Sequence, residues 1–188
     1  MIATIFDKLF SIEYMAKVEK KLHHLPVTAI NIANGKSFPN GDNGTHRLMG
    51  ENIFERESIN KVVNLMDDCE IYFEMLEVIE EALEEKLYLN RIDFNLQHSI
   101  CDGSSHVDGD EGEYTIMYMP NLEWDTKEWG GQFQLFGDND DVIEEHEYVP
   151  GRVLVFPSEI PHRGLGPRHP YVYRYTVVWR VQKLDDVL

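Results

Sequence analysis

Cysteine is scarce in this chain: Cys69 and Cys101 are the only two, and neither stands in a C-x-x-C. That argues against a disulfide framework and against a thiolate zinc site, and it fits reduced thiols in an intracellular protein. Basic residues are also few, 17 Lys and Arg against 34 Asp and Glu, for a formal net charge of −17 and a pI near 4.7. Phosphate backbones are bound by clustered cations, so nucleic acid is an unexpected partner. No apolar run reaches the length of a membrane span, so no membrane association is expected. The N-terminal MIATIFDKLFSIEYMAKVEKK interrupts its apolar stretch with acidic residues and lacks a small-residue cleavage site. It does not read as a signal peptide, and a cytoplasmic location is expected. There is no internal repeat, no low-complexity tract and no long Pro/Gly/Ser linker, so residues 1–188 are expected to form a single domain.

What is present is a globular composition, 43% apolar, divided between two patterns. Residues 1–90 read as helix-rich. Ser11 caps a helix to about Leu25, with Ile12, Met15, Val18 and Leu22 at helical spacing and Pro26 as its stop. VTAINIA (27–33) reads as a strand and NGKSFPNGDNGTHRLMG (34–50) as a loop. Helices are predicted over about Ser58–Met66 and Cys69–Leu87, the latter with a stripe of Tyr72, Met75, Leu76, Ile79, Leu83 and Leu87 that suits a core. Residues 91–188 change period. IDFNLQ, YTIMYM, GQFQLF, EYVP, RVLVF and YVYRYTVVWRV are short, β-rich and bounded by Gly, Pro, Asp and Asn. The expected class is α+β, mainly β: a distorted barrel or sandwich supported by an N-terminal helical layer.

Within the β-rich half, SSHVDGDEGEY (104–114) places His106 and Asp108 two residues apart. In an extended segment both side chains project to one side, so an imidazole nitrogen and a carboxylate oxygen reach one point. H-x-D alone is weak, but PGRVLVFPSEIPHRG (150–164) adds His162 after a strand and a turn. Two imidazoles and one carboxylate make a facial triad that suits non-haem Fe(II) and leaves three positions open. Arg174 interrupts an apolar, aromatic strand, YVYRYTVVWR. Facing inward it needs an anion, because an unpaired buried guanidinium is costly; facing outward it is an ordinary solvated arginine. Thr176 shares its face. Phe156, Ile116 and Val178 are candidate apolar walls. His146, with Glu144 and Glu145, resembles a ligand cluster in composition only.

These segments, taken in order, resemble the 2-oxoglutarate and Fe(II)-dependent dioxygenases, and within them the prolyl 4-hydroxylase-like group. They are HVD at 106–108, YTIMYMPNLEWD at 114–125, WGGQFQLF at 129–136, GRVLVFPSEIPH at 151–162 and RYTVVW at 174–179. The order H-x-D, N-x-x-W-D, GG-x-x-x-x-F, S-x-x-x-P-H, R-Y is similar to that of the oxygen-sensing prolyl hydroxylases. The small prolyl hydroxylases of bacteria and phages are similar in size. The resemblance covers roughly residues 90–182. It implies a double-stranded β-helix (jelly-roll, cupin-like) core, catalytic iron ligands at His106, Asp108 and His162, and Arg174 on the distal carboxylate of 2-oxoglutarate, with Thr176, Tyr118 and Gln97 lining the co-substrate pocket. It further implies Fe(II), 2-oxoglutarate and O2 as reactants, ascorbate as an accessory reductant, and a proline-containing peptide or protein as substrate. Aligning on Trp124-Asp125 puts Met119 where relatives have the tyrosine, which leaves Tyr114 as an alternative to Tyr118. The long segment before Arg174 makes Arg168 a rival anchor. Two other readings stand beside this one: a metal cupin, whose second motif GRVLVFPSEIPH approaches, and a non-catalytic β-helix binding module.

Overall fold

The computed structural model describes residues 1–30, 48–99 and 101–187. The segment read as the 34–50 loop therefore lies outside the described residues except at its end, Leu48 to Gly50, where a strand begins.

The chain runs β1 (Thr4–Phe6), α1 (Ile12–Leu22), β2 (Thr28–Ile30), β3 (Leu48–Ser58), β4 (Lys61–Leu65), α2 (Glu70–Leu83), β5 (Leu87–Gln97), β6 (Glu113–Tyr118), β7 (Phe133–Phe136), β8 (Val142–His146), β9 (Val153–Pro157), β10 (His162–Gly164) and β11 (Arg174–Lys183), closing with a 3-10 turn at Leu184–Asp186. Pairing is antiparallel throughout. The larger sheet has the order β1-β9-β6-β11-β5-β3-β2, with β4 on the side of β3, and the smaller is β10-β7-β8. Among the described residues no helix is long and apolar enough to cross a membrane.

The larger sheet has two differently used faces, and β11 shows why. Its period-2 alternation sends Val177, Trp179 and Val181 to one side, into a core shared with α1 (Met15, Val18, Leu22) and α2 (Tyr72, Met75, Ile79). Arg174, Thr176, Val178 and Arg180 go to the other side and line a cleft. A second cluster, with Met117, Leu154, Phe156 and Val178 from the larger sheet and Phe133 and Leu135 from β7, fills the space between the two sheets. Trp179 is fully buried, and its indole Nε1 donates to the Tyr72 carbonyl of α2 at 3.0 Å. Trp179→Ala is expected to lower unfolding free energy by about 3–5 kcal/mol, the usual cost of emptying so large a core site, read as a shift of the urea midpoint.

The helix expected over Ser58–Met66 is instead the turn and return strand of the β3–β4 hairpin. Val62 and Val63 are β-branched and suit a strand, and pairing with Phe54, Glu55 and Arg56 overrides the helix-like spacing. Among the described residues, the stretch 1–90 thus holds both α-helices and four complete strands. The two other helices are shorter than expected. α1 stops at Leu22, its N-terminus capped as anticipated by Ser11 Oγ on the Tyr14 amide. α2 stops at Leu83 because Glu84 turns left-handed at φ 55°, so Leu87 falls on β5 and not on the helical stripe. EYVP forms no strand; the strand of that region is β8, just before it.

Candidate metal centre and cleft

His106 and His162 are far apart in sequence but meet as an isolated antiparallel bridge: each backbone amide donates to the other's carbonyl, at 3.0 and 2.8 Å. The segment carrying His106 thus lies beside the start of β10, and the two rings come within 4.4 Å. The Asp108 and Gly109 amides both donate to the Ser158 carbonyl, which turns the Asp108 side chain toward the same point. Ligand atoms of His106, Asp108 and His162 lie within 4.8 Å of one another.

The imidazoles are oriented by the backbone. His106 Nδ1 faces the Ser104 carbonyl at 2.9 Å, and His162 Nδ1 faces the Ile160 carbonyl at 2.8 Å. A carbonyl only accepts, so in both rings the proton sits on Nδ1, and Nε2 carries the lone pair toward the shared point. His162 is packed by Phe156 and Phe133. The Asp108 side chain is 6% exposed. Desolvation alone would raise its pKa, but the Arg180 guanidinium beside it holds it well below the ordinary carboxylate range. Two imidazoles, each with Nδ1 on a backbone carbonyl and Nε2 toward the shared point, and one carboxylate converging this way are a fit set for a divalent ion, and their type suits Fe(II).

Arg174 lies at the other end of the cleft. It is buried, its Nη1 donates to Gln97 Oε1 at 2.8 Å, its Nε donates to the Gly131 carbonyl at 3.0 Å, and the Tyr148 ring lies beneath the guanidinium at 5.2 Å. Its Nη2 has no partner among the described residues. Burial lowers its pKa to about 10, so it remains a cation at neutral pH. A buried guanidinium with an open N–H and, among the described residues, no salt bridge to a carboxylate suits an anionic ligand. Two glycines make room for this arrangement. A Cβ at Gly164 would come within 3.0 Å of Arg174 Nη1, and one at Gly131, where φ is +81°, would meet Trp124 at 2.7 Å. Asn121 fixes the strand around Arg174: its Oδ1 accepts from the Tyr175 amide and its Nδ2 donates to the Tyr173 carbonyl, both at 3.0 Å.

Of the residues singled out in the sequence, His106, Asp108, His162, Arg174, Thr176 and Gln97 all line this cleft, with Phe156 and Val178 among its walls. Tyr118 does not. It pairs with Val177, faces the helices, and packs edge-on against Phe10. Ile116 faces the same way, and Met117 stands in the cleft in its place. Met119 is buried between the sheets, and Tyr114 lines a separate groove with Ile2 and Val155. Arg168 is exposed and packs over Gly130, outside the cleft. His146 contacts Glu144 at 3.2 Å, away from the cleft. Sequence reasoning missed Arg180, Thr115 and Asp93, which also line the cleft. The signal for Arg180 was its even spacing from Arg174 on one strand; nothing local marked Thr115 or Asp93.

No family model matches the sequence, and no curated protein matches it. Solved structures do. An oxidoreductase of the 2OG-Fe(II) oxygenase family from Burkholderia pseudomallei superposes with a TM-score of 0.66 at 15% identity, covering 96% of this chain and 84% of that one. The chain has the fold of the 2OG-Fe(II) oxygenases. A prolyl-4-hydroxylase from Pseudomonas putida gives a TM-score of 0.64 at 15% identity, over 96% of this chain and 92% of that one. A Trichoplax adhaerens prolyl hydroxylase, solved with a hypoxia inducible factor peptide fragment, gives 0.62 at 14% identity, over 98% and 84%. The mainly β, antiparallel architecture and the His-Asp-His grouping thus sit in an oxygenase fold.

Proposed function

We propose that this protein is a 2-oxoglutarate- and Fe(II)-dependent dioxygenase that hydroxylates a C–H bond, with proline in a peptide or protein as the substrate. The observation that carries the reading is one cleft holding both parts of the required chemistry: two imidazole Nε2 atoms beside a carboxylate, and a buried arginine with an unpartnered N–H. His106, Asp108 and His162 would hold Fe(II), and Arg174, with Gln97 fixing its guanidinium and Thr176 on the same strand face, would take the distal carboxylate of 2-oxoglutarate. Bound together, the metal and co-substrate supply the activation of O2 that delivers one oxygen to substrate and releases succinate and CO2.

The chain's own contribution is placement. The His106–His162 bridge fixes the donor set, the Ser104 and Ile160 carbonyls fix the tautomers, and Arg174 orients the co-substrate so that later steps are effectively unimolecular. Met117, Phe133, Phe156 and Val178 provide apolar walls that limit water. In this reading α1 and α2 are the supporting layer behind the larger sheet. The peptide substrate is supported by two prolyl hydroxylases among the structural neighbours, one of them solved with a peptide. The acidic balance favours a peptide over nucleic acid. Ascorbate would serve only to keep the iron reduced.

Incubation of the Fe(II)-loaded protein with 2-oxoglutarate and proline-containing peptides is expected to release succinate and add one oxygen to a peptide, read by mass spectrometry. Succinate release with oxygen added only to a free amino acid would remove the peptide substrate. Metal binding without succinate would leave a cupin-type enzyme or a binding module.

A further inference from the structure

We propose that Arg180 is a positioning residue for Asp108, holding its carboxylate so that it ligates the metal through a single oxygen. The proposal rests on His106, Asp108 and His162 being the metal ligands. The two carboxylate oxygens are differently engaged. Oδ1 accepts from Arg180 Nη2 at 2.7 Å and lies 3.6 Å from His106 Nε2. Oδ2 accepts from the neutral Thr115 hydroxyl at 3.1 Å and faces His162 Nε2 at 3.4 Å, the imidazole that would share the metal with it. Both oxygens accept as part of an ionised carboxylate, but only the bond to Arg180 also has a charged donor, which adds the direct attraction of opposite charges. Oδ1 is therefore committed to the guanidinium, and Oδ2 is the oxygen left to a metal.

The distinction matters for coordination number. Two imidazoles and one carboxylate oxygen fill three of six positions, leaving room for a chelating keto acid and one further ligand. A carboxylate that swings to bind through both oxygens fills a fourth position and leaves too few. Carboxylates do bind ions in both ways when nothing restrains them. The restraint here is itself anchored. Arg180 faces the cleft from β11, with 23% of its side chain exposed. Asp93, held by Arg91 Nε at 2.7 Å and Asn52 Nδ2 at 3.0 Å, lines the same cleft, and with Glu113 and Glu55 it adds to the attraction of Asp108 for the guanidinium. The end of Arg180 lies in the cleft.

The test uses the metal-stripped full chain, with Arg180→Met and Arg180→Lys beside the wild type. Mn(II) affinity is measured by the loss of the free-ion EPR signal, and Co(II) coordination by visible absorption. Arg180→Met is expected to weaken Mn(II) binding by about 10–100-fold, the usual effect of removing a contact that orients a ligand. Its Co(II) bands are expected to weaken as the coordination number rises, and Arg180→Lys, which keeps a cation, to recover part of the affinity. Thermal unfolding checks that each variant is folded; Arg180→Gln carries the same test should the methionine variant not fold. Wild-type Mn(II) affinity and an unchanged Co(II) spectrum in the folded variant overturn the proposal and leave the metal site standing. Absence of Mn(II) binding by the wild type overturns the metal site, and the proposal with it.

Discussion

Replacing His162 by alanine is expected to abolish 2-oxoglutarate turnover and to weaken Mn(II) binding by more than about 100-fold, since loss of a mere orienting contact already costs about 10–100-fold. The reason is geometric. The Nε2 lone pair of His162 is aimed by the Ile160 carbonyl on Nδ1, and its ring is wedged against Phe133 and Phe156, so no nearby side chain takes its place. The backbone bridge to His106 does not depend on the side chain and is expected to survive, keeping the other two donors together. Removing the ring leaves a cavity beside two phenylalanines, so some loss of stability is expected as well. Circular dichroism and a melting curve separate that loss from the metal effect. His146→Ala is the control: His146 is paired across strands with Phe133, but its ring turns to Glu144 and does not line the cleft, and both metal binding and turnover are expected to be retained. Equal Mn(II) affinity in the wild type and His162→Ala would remove His162 from the ligand set, and the facial-triad reading with it.

The parts of this site that were legible in the sequence are those encoded locally. H-x-D places two donors on one side of an extended chain with no reference to the rest of the fold. The strand alternation of β11 correctly put Thr176 with Arg174, and burial with an open Nη2 decides for the inward arginine over the solvated one. The N-x-x-W-D and GG segments also acquire a physical meaning. Asn121 grips the backbone on both sides of Arg174, Trp124 Nε1 donates to the Gly130 carbonyl, and Gly131 offers its carbonyl to the arginine. What was not legible depends on register. Tyr118 and Met117 differ by one residue, and only the pairing of Met117 with Val178 decides which of them faces the cleft. The ion pair of Arg180 with Asp108 joins residues 72 apart in sequence, so no window of sequence displays it. The β3–β4 hairpin departs from the predicted helix because the helix-like spacing of Ser58–Met66 yields to pairing with Phe54–Ser58, on a strand that β5 itself holds in the sheet.

Arg174→Met is expected to raise the KM for 2-oxoglutarate by about 30-fold to several thousandfold. Truncating one member of a buried charge pair costs about 2–5 kcal/mol, and each 1.4 kcal/mol is a factor of ten. The same change should leave Mn(II) affinity near the wild-type value, because Arg174 touches none of His106, Asp108 or His162. That split between co-substrate and metal distinguishes an anchor from a residue that merely supports the fold. The ligand-free protein carries the complementary signature. An unpaired buried guanidinium is unfavourable, and methionine of similar volume removes that cost while giving up the bonds to Gln97 and Gly131. These effects oppose each other, so the melting temperature of the ligand-free variant is expected to lie close to that of the wild type. Ligand linkage then provides the decisive comparison: 2-oxoglutarate with Mn(II) should raise the wild-type melting temperature, and the variant should show little of that rise at the same concentration. Arg168→Ala, altering an exposed side chain over Gly130, is expected to keep both the KM and the ligand-induced rise. If Arg168→Ala lost them and Arg174→Met kept them, the anchor would be Arg168, and the open N–H of Arg174 would need another anion.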